Sequence, residues 1–273
     1  VLWHEVVLDL RAAAPEVDVE LRALRQAAAH PVPPRTTTTL RVERSAAGHQ
    51  LFDGGDLLAT LDTTRRLLDA AFARTYRRAF ELAALGGWVR VHGTVLRVGE
   101  QRWAVVGPAG AGKSTLALAA LAAGEAAEVD ESFLVRGGEV LGVARRFHVK
   151  PGSEAIVPAA APWLAGAPVL AGDPPLRLLD PAEAGLPWEL RSGPIDHLAI
   201  VERGAATALR PLGATVAAPA VLAQAFPTVE ARGTIVREVS SLLRGVGVHH
   251  LTVGPDGAAV DALRIVARSG RPG

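Results

Sequence analysis

Eight residues near the middle of the chain, Gly107-Pro-Ala-Gly-Ala-Gly-Lys-Ser114, constrain its fold more than any other segment. They fit the pattern G-x-x-x-x-G-K-[ST]. The apolar run Trp103-Ala-Val-Val106 leads straight into them, and a Leu/Ala-rich stretch from Lys113 to Ala123, stopped by Gly124, follows. An apolar run, a glycine-rich turn and a helix apolar on nearly every face call for a buried strand–loop–helix unit. Such a unit is the starting point of an α/β fold. The lysine is itself informative. Of 29 Lys and Arg residues only Lys113 and Lys150 are Lys. The chain uses Arg where a generic positive charge suffices, so a retained Lys marks a place that suits a compact ammonium over a planar guanidinium.

A loop of this kind gathers backbone N–H groups and a helix N-terminus around phosphate oxygens. Gly107, Pro108, Ala109, Gly110, Ala111, Gly112, Lys113, Ser114 and Thr115 are therefore the expected nucleotide-binding residues. Lys113 would reach the β- and γ-phosphates of ATP, and Ser114 would offer its hydroxyl to Mg²⁺. A fortuitous turn in a Gly/Ala-rich chain is the bland alternative, and the flanking strand and helix weigh against it.

Phosphoryl transfer also needs carboxylates, for the metal ion and for the acceptor's proton. Glu128-Val-Asp-Glu131 follows the helix after a short break, and Ser132-Phe-Leu-Val135 reads as a strand. In an extended segment the adjacent Asp130 and Glu131 would point to opposite sides. One would face the metal and the other the nucleophile. Glu125 and Glu128 read as a solvated acidic turn. His92, in Val91-His-Gly93, lies on the strand before the loop strand and taken alone reads as structural. His249-His250 invites a metal reading, but neighbours on a strand face opposite ways, so the pair is discounted.

The rest of the chain alternates strand and helix signals. Val6-Val-Leu8 and Thr36 to Val42 read as strands, Pro31 to Pro34 as a loop, and Gln50 to Leu58 as a hairpin around Asp53-Gly-Gly55. Residues 61–85 have helical spacing, with arginines between the apolar positions, and Gly86-Gly87 closes them. Residues 151–194, rich in Pro, Ala and Gly, show little period and read as irregular excursions, a lid or substrate loop. Ile195 to Val201 and Val248 to Val253 read as strands. Pro219 to Phe226, Glu230 to Leu243 and Asp261 to Ala267 read as helices.

Composition excludes several classes. There is no Cys, so there are no disulfides and no thiolate metal sites. The net charge of +1 lacks the basic excess of a nucleic-acid binder. No apolar run is long enough to span a membrane, and the first ten residues lack the basic start of a signal peptide. A cytoplasmic location is the resulting expectation. Nothing in the sequence fixes or excludes a homo-oligomer.

Taken together, His92-Gly93, Gly107 to Ser114, Gly124 and Asp130-Glu131 resemble the catalytic domain of HPr serine kinase/phosphorylase and its smaller relatives. That family shows a His-Gly strand, a glycine-rich phosphate loop, an L-A-L helix ending in Gly and an Asp-Asp pair. The spacings here match it without gaps. The likeness covers residues 88–135 well and 136–155 loosely. It implies that Asp130 is the general base, that Glu131 takes the metal-associated place of a second Asp with a longer arm, and that His92 belongs to the active site. Ala109 replaces the family's usual Ser. Lys150, in Phe147-His-Val-Lys-Pro-Gly152, matches a Leu-Lys or Val-Lys of the smaller relatives and is a candidate phosphate or carboxylate contact, with Arg145 and Arg146 as neighbours that could serve instead.

The expectation is thus an α/β chain with an HPr-kinase-like P-loop core at 86–273 and an N-terminal α+β extension at 1–85. Its partner would be a peptide or small protein with an acceptor serine. The extension resembles that of stand-alone kinases in natural-product clusters, some of which phosphorylate the C-terminal serine of a lasso-peptide precursor. A kinase for a small-metabolite hydroxyl, or a nucleotide-dependent scaffold without phosphotransfer, remain open alternatives.

Overall fold

The computed structural model describes residues 2–3, 6–12, 36–143, 146–170, 174–226 and 232–269. The loop read at Pro31 to Pro34 and the neighbour Arg145 lie outside them. The chain divides into two compact units, Val1–Gly86 and Gly87–Gly273.

Among its described residues, the first unit has a five-stranded sheet and one helix. Strands β1 (Leu2–Trp3), β2 (Val6–Ala12), β3 (Thr36–Ser45), β4 (Gly48–Asp53) and β5 (Asp56–Leu61) lie in sequence order. Only the β2–β3 pair is parallel; the remaining neighbours are antiparallel. The β4–β5 hairpin turns at Gly54-Gly55, where Gly54 takes a φ of 60°. Helix α1 (Thr64–Leu85) packs on β4. Leu40, Val42 and Leu51 of the sheet and Leu67, Ala71 and Phe80 of the helix are buried. Arg74 on α1 donates from Nε to Asp53 at 2.9 Å. The helix starts three residues later than its apolar spacing suggests, because Leu61 completes β5.

The second unit is a mixed α/β structure around a long sheet. Its elements run β6 (Val89–Val98), β7 (Gln101–Val106), α2 (Lys113–Ala122), β8 (Ala126–Val129), β9 (Ser132–Arg136), β10 (Glu139–Gly142) and β11 (Phe147–Val149). Short pieces follow: α3 (Ser153–Ile156), a 3₁₀ turn (Pro158–Ala160), α4 (Ala161–Ala165), β12 (Val169–Leu170), β13 (Leu176–Leu179) and β14 (Ser192–Gly193). The chain ends with β15 (His197–Arg203), β16 (Ala208–Pro211), α5 (Ala214–Ala223), β17 (Ala225–Phe226), α6 (Arg232–Leu242), β18 (Gly247–Val253) and α7 (Ala259–Arg268).

The sheet order is β14-β10-β9-β6-β7-β15-β18-β16, with β8 and β17 also paired to β6. Strands β7, β15 and β18 are parallel to one another. Trp103 to Val106 of β7 and Leu198, Ala199 and Val201 of β15 are buried, as in a sheet covered on both faces, while β18 carries His249 and His250 among its apolar residues. Helices α2 and α7 cover one face, with Leu116, Leu118, Leu121, Val260 and Leu263 against Leu96, Trp103 and Val105. Helices α5 and α6 cover the other, with Val221, Ile235, Val239 and Leu242 near Val91, Ala104 and Leu198. Beside this sheet, β11, β13 and β12 form a small antiparallel sheet of their own.

Several sequence expectations need correction. The helix placed at Pro219 begins at Ala214 and ends at Ala223, so Pro219 lies inside it. Residues Ala225 and Phe226 pair with β6 as a strand instead. The helix read from Glu230 is present from Arg232 to Leu242, and its first two residues lie outside the described residues. The described part of residues 151–194, read as irregular, carries short helical turns and strands and is tied down by side chains. Arg146 binds Glu183 at 3.0 Å, Arg177 donates to the Leu164 carbonyl at 2.8 Å and Trp188 donates to the Glu128 carbonyl at 2.8 Å.

The acidic turn is also different from its sequence reading. Glu128 is buried in β8, where Arg102 holds it through Nε at 2.9 Å and Nη2 at 2.7 Å. The same guanidinium donates to the carbonyls of Val140, Arg191 and Gly193. Burial raises the Glu128 pKa, against the lowering effect of Arg102. Glu125 accepts from Arg264 at 2.7 Å and from the Gly99 amide at 2.8 Å. Among the described residues, no helix is long and apolar enough to cross a membrane.

Candidate active site

The glycine-rich segment forms the turn between β7 and α2, at the C-terminal end of a parallel strand, where open α/β sheets place their ligands. Gly112 is the N-cap of α2 with φ 100°, a conformation that L side chains rarely adopt. This kink lets the backbone turn into the helix with Lys113 as its first residue. Lys113 Nζ folds over the loop and donates to the carbonyls of Gly107 at 2.7 Å and Pro108 at 3.0 Å. Burial pushes its pKa down, and Lys150 adds to this; Asp130 and Glu131 oppose it.

One turn into the site, Ser114 Oγ donates to Asp130 Oδ1 at 3.0 Å. Asp130 is only 2% exposed. It belongs to a ladder with an unusual interruption. Strand β8 pairs with β6 through Val129 opposite Val95, and β9 resumes with Ser132 opposite His92. Asp130 and Glu131 are the two residues between. Glu131 has φ 82°, the only positive value at a non-glycine among the described residues. The extended alternation expected for this pair therefore fails. Both side chains line one cleft.

Two neighbours on β6 hold that conformation. The Gly93 amide donates to the Glu131 carbonyl at 3.1 Å, and His92 Nδ1 lies 2.8 Å from the same oxygen. A carbonyl only accepts, so Nδ1 carries the proton. Gly93 has to be glycine: a Cβ there would lie 2.6 Å from the Val105 carbonyl oxygen and 2.7 Å from the Phe133 ring. Burial lowers the His92 pKa, and the Lys113 charge lowers it further. The imidazole is thus held neutral with its Nδ1 proton committed to the backbone. The ring rests edge-on against Phe226, with centroids 6.1 Å apart.

The cleft has a volume of about 500 Å³. It brings together His92, Lys113, Ser114, Thr115, Asp130, Glu131 and Lys150 with Ala109, Gly110 and Gly112. Gly107, Pro108 and Ala111 belong to the turn without lining the cleft; Ala111 is buried beneath it. Arg146, weighed beside Lys150, faces away to Glu183 and Asp180.

Three lining residues with polar side chains were not anticipated: His148, Ser153 and Arg203. His148 Nδ1 stands 3.8 Å from Glu131 Oε2. A signal for it existed, since His148 and Lys150 are two apart and residues at that spacing on a strand share a side. Arg203, 90 positions after Lys113 in the sequence, carried no such signal.

The donor set is all hard oxygen near the loop: the Ser114 hydroxyl and the carboxylates of Asp130 and Glu131. Among the described residues, no group of three or more His, Cys, Asp or Glu side chains could cage a metal. Mg²⁺ needs no such cage. It is usually held by one or two carboxylates, substrate phosphates and water, and these residues fit that manner of binding. The αL glycine ahead of α2 and the exposed turn leave room for phosphate oxygens.

No protein-family model matches the chain, and no curated protein matches it either. The functional reading therefore rests on the residues and their geometry.

Proposed function

We propose that the protein is an ATP-dependent kinase of the HPr-kinase-like P-loop type, transferring the γ-phosphoryl group to a serine hydroxyl of a peptide or small protein. The observation that carries this is the meeting of Lys113, Ser114, Asp130, Glu131, His92 and Lys150 in one cleft around a strand–loop–helix turn.

When bound, Mg²⁺ would neutralise charge on the β- and γ-phosphates. Ser114, Asp130 and Glu131 are the side chains that would hold it. The loop amides and the start of α2 orient the phosphate chain, and Lys113 exchanges its two loop carbonyls for phosphate oxygens. Asp130 takes the proton of the incoming hydroxyl, whose oxygen bonds to the γ-phosphorus as the bond to the β-phosphate oxygen breaks. ADP and the phosphoserine leave. His92 acts through the backbone, fixing Glu131 so that both carboxylates face the phosphates. Lys150 adds a mobile positive charge at the rim.

The test is intact-mass measurement of serine-containing peptides, including ones ending in serine, after incubation with Mg-ATP. A gain of one phosphate supports the reading. ATP consumption only with a small metabolite, or binding without turnover, would replace it. The Asp130→Asn variant should bind ATP and lose transfer; near wild-type transfer would remove Asp130 as the base.

A further inference from the structure

The sheet places a third cation beside the phosphate loop. Strand β15 runs parallel to β7, with His197 opposite Trp103 and Ile200 opposite Val106. There β7 ends and the loop begins. Strand β15 continues through Val201, Glu202 and Arg203, paired now only with β18. Its first extra residue packs directly on the loop: a Cβ added to Gly107 would collide with the Val201 carbonyl.

Alternation along a strand then fixes the directions. Val201 is buried in the layer that contains Leu116 and Ala117 of α2. Arg203, two residues on, projects to that same side, and it lines the cleft with Ala109, Gly110 and Lys113. Glu202 points the other way, to His250 at 3.2 Å. Arg203 is exposed and makes no ion pair among the described residues. The loop therefore lies between two arms. Asp130 and Glu131 stand on the β6 side, and Arg203 stands on the β15 side.

We propose that Arg203 is a further catalytic residue, donating hydrogen bonds to the terminal phosphoryl group of the bound nucleotide from the side opposite the carboxylates. This rests on the nucleotide reading of the loop. A phosphoryl group in transfer spreads negative charge over its outer oxygens, and a guanidinium fork meets two such oxygens at once. Lys113 reaches the phosphates from within the loop. Arg203 meets them from outside it.

Calorimetric binding of two ligands to wild type and to Arg203→Ala tests the assignment, both with Mg²⁺: ADP and the β,γ-imido analogue of ATP. Wild type should bind both. The variant should bind ADP unchanged and the triphosphate analogue at least about tenfold more weakly, as expected for loss of a charge-assisted contact. Its melting temperature should match wild type, because the side chain is exposed. If wild type binds neither ligand, the nucleotide reading fails and this assignment with it. If wild type binds both and the variant keeps both affinities, or loses them equally, Arg203 does not touch the terminal phosphoryl group while the nucleotide reading stands.

Discussion

His92 and Glu131 are joined through the backbone: the imidazole Nδ1 donates to the Glu131 carbonyl at 2.8 Å, across the break between two strands. The bond holds Glu131 at φ 82° and so turns two consecutive carboxylates into one cleft. A residue that reads as an active-site histidine in sequence thus acts on the shape of the chain.

This relationship separates two substitutions. In His92→Asn the side-chain amide can still donate from the position of Nδ1, whereas His92→Ala removes the donor. Alanine should cost about 1–2 kcal/mol of stability and most of the proposed phosphoryl transfer; asparagine should recover a measurable share of both. Thermal melts and transfer rates for the two variants decide it. Equal loss in both would mean that the imidazole works through its other nitrogen.

Glu131→Gly should split stability from activity. Glycine reaches positive φ without the penalty of about 1 kcal/mol or more that a side chain meets there. The variant should melt at or above the wild-type temperature while, under the proposed function, transfer collapses and more Mg²⁺ is needed to sustain it. A clear loss of stability would show that the Glu131 carboxylate, rather than its backbone, holds the site together.

The Arg102–Glu128 pair is a structural contact with a large expected effect. Arg102→Ala leaves Glu128 charged, buried and facing carbonyls that have lost their donor, which should destabilise the fold by about 3–5 kcal/mol. Chemical denaturation of the variant measures it. A shift under about 1 kcal/mol would mean that water replaces the guanidinium.

Acid should weaken the second unit through His249. Its ring packs against Trp103 and its Nε2 lies 3.2 Å from His197 Nδ1. Burial, with a smaller effect from His197, lowers its pKa from 6.5 to about 4. The neutral form is the folded one, so the stabilisation is complete above about pH 6.5 and is lost as pH falls toward 4. The loss should approach about 3 kcal/mol. His249→Phe should flatten this pH dependence in melting curves recorded from pH 7 to pH 4; an unchanged slope would assign the effect elsewhere.

The strand–turn–helix at Val106 to Ala122 was legible in the sequence, because apolar run, glycine spacing and apolar helix are all local signals. The hairpin at Gly54-Gly55 and the helix ending at Leu85 were legible for the same reason. The joint orientation of Asp130 and Glu131 was not. It depends on a left-handed residue that no composition rule assigns to glutamate, and on a partner 39 positions away. Glu128 was read as solvated because its arginine lies 26 residues upstream. His249-His250 was discounted as a metal pair because neighbours on a strand face opposite ways; that His249 meets His197 instead depends on a strand 52 residues upstream. Pro219 misled by its usual preference for a helix start. For Glu131, Glu128 and His249 the deciding contact is long in sequence and short in space.

The ladder around β6 has one more consequence. Asp130 and Glu131 hang between two paired segments, with β6 anchored in turn by β7 and β17. Lys150 and Arg203 sit on long, exposed side chains at element ends. The acidic half of the cleft is thus set in advance, while the basic half, on exposed side chains, keeps its rotamer freedom. Any entropic penalty of closing on a ligand would fall on the cations, and exchanging an arginine or lysine at the rim is the natural route by which this scaffold could retune affinity without disturbing its carboxylates.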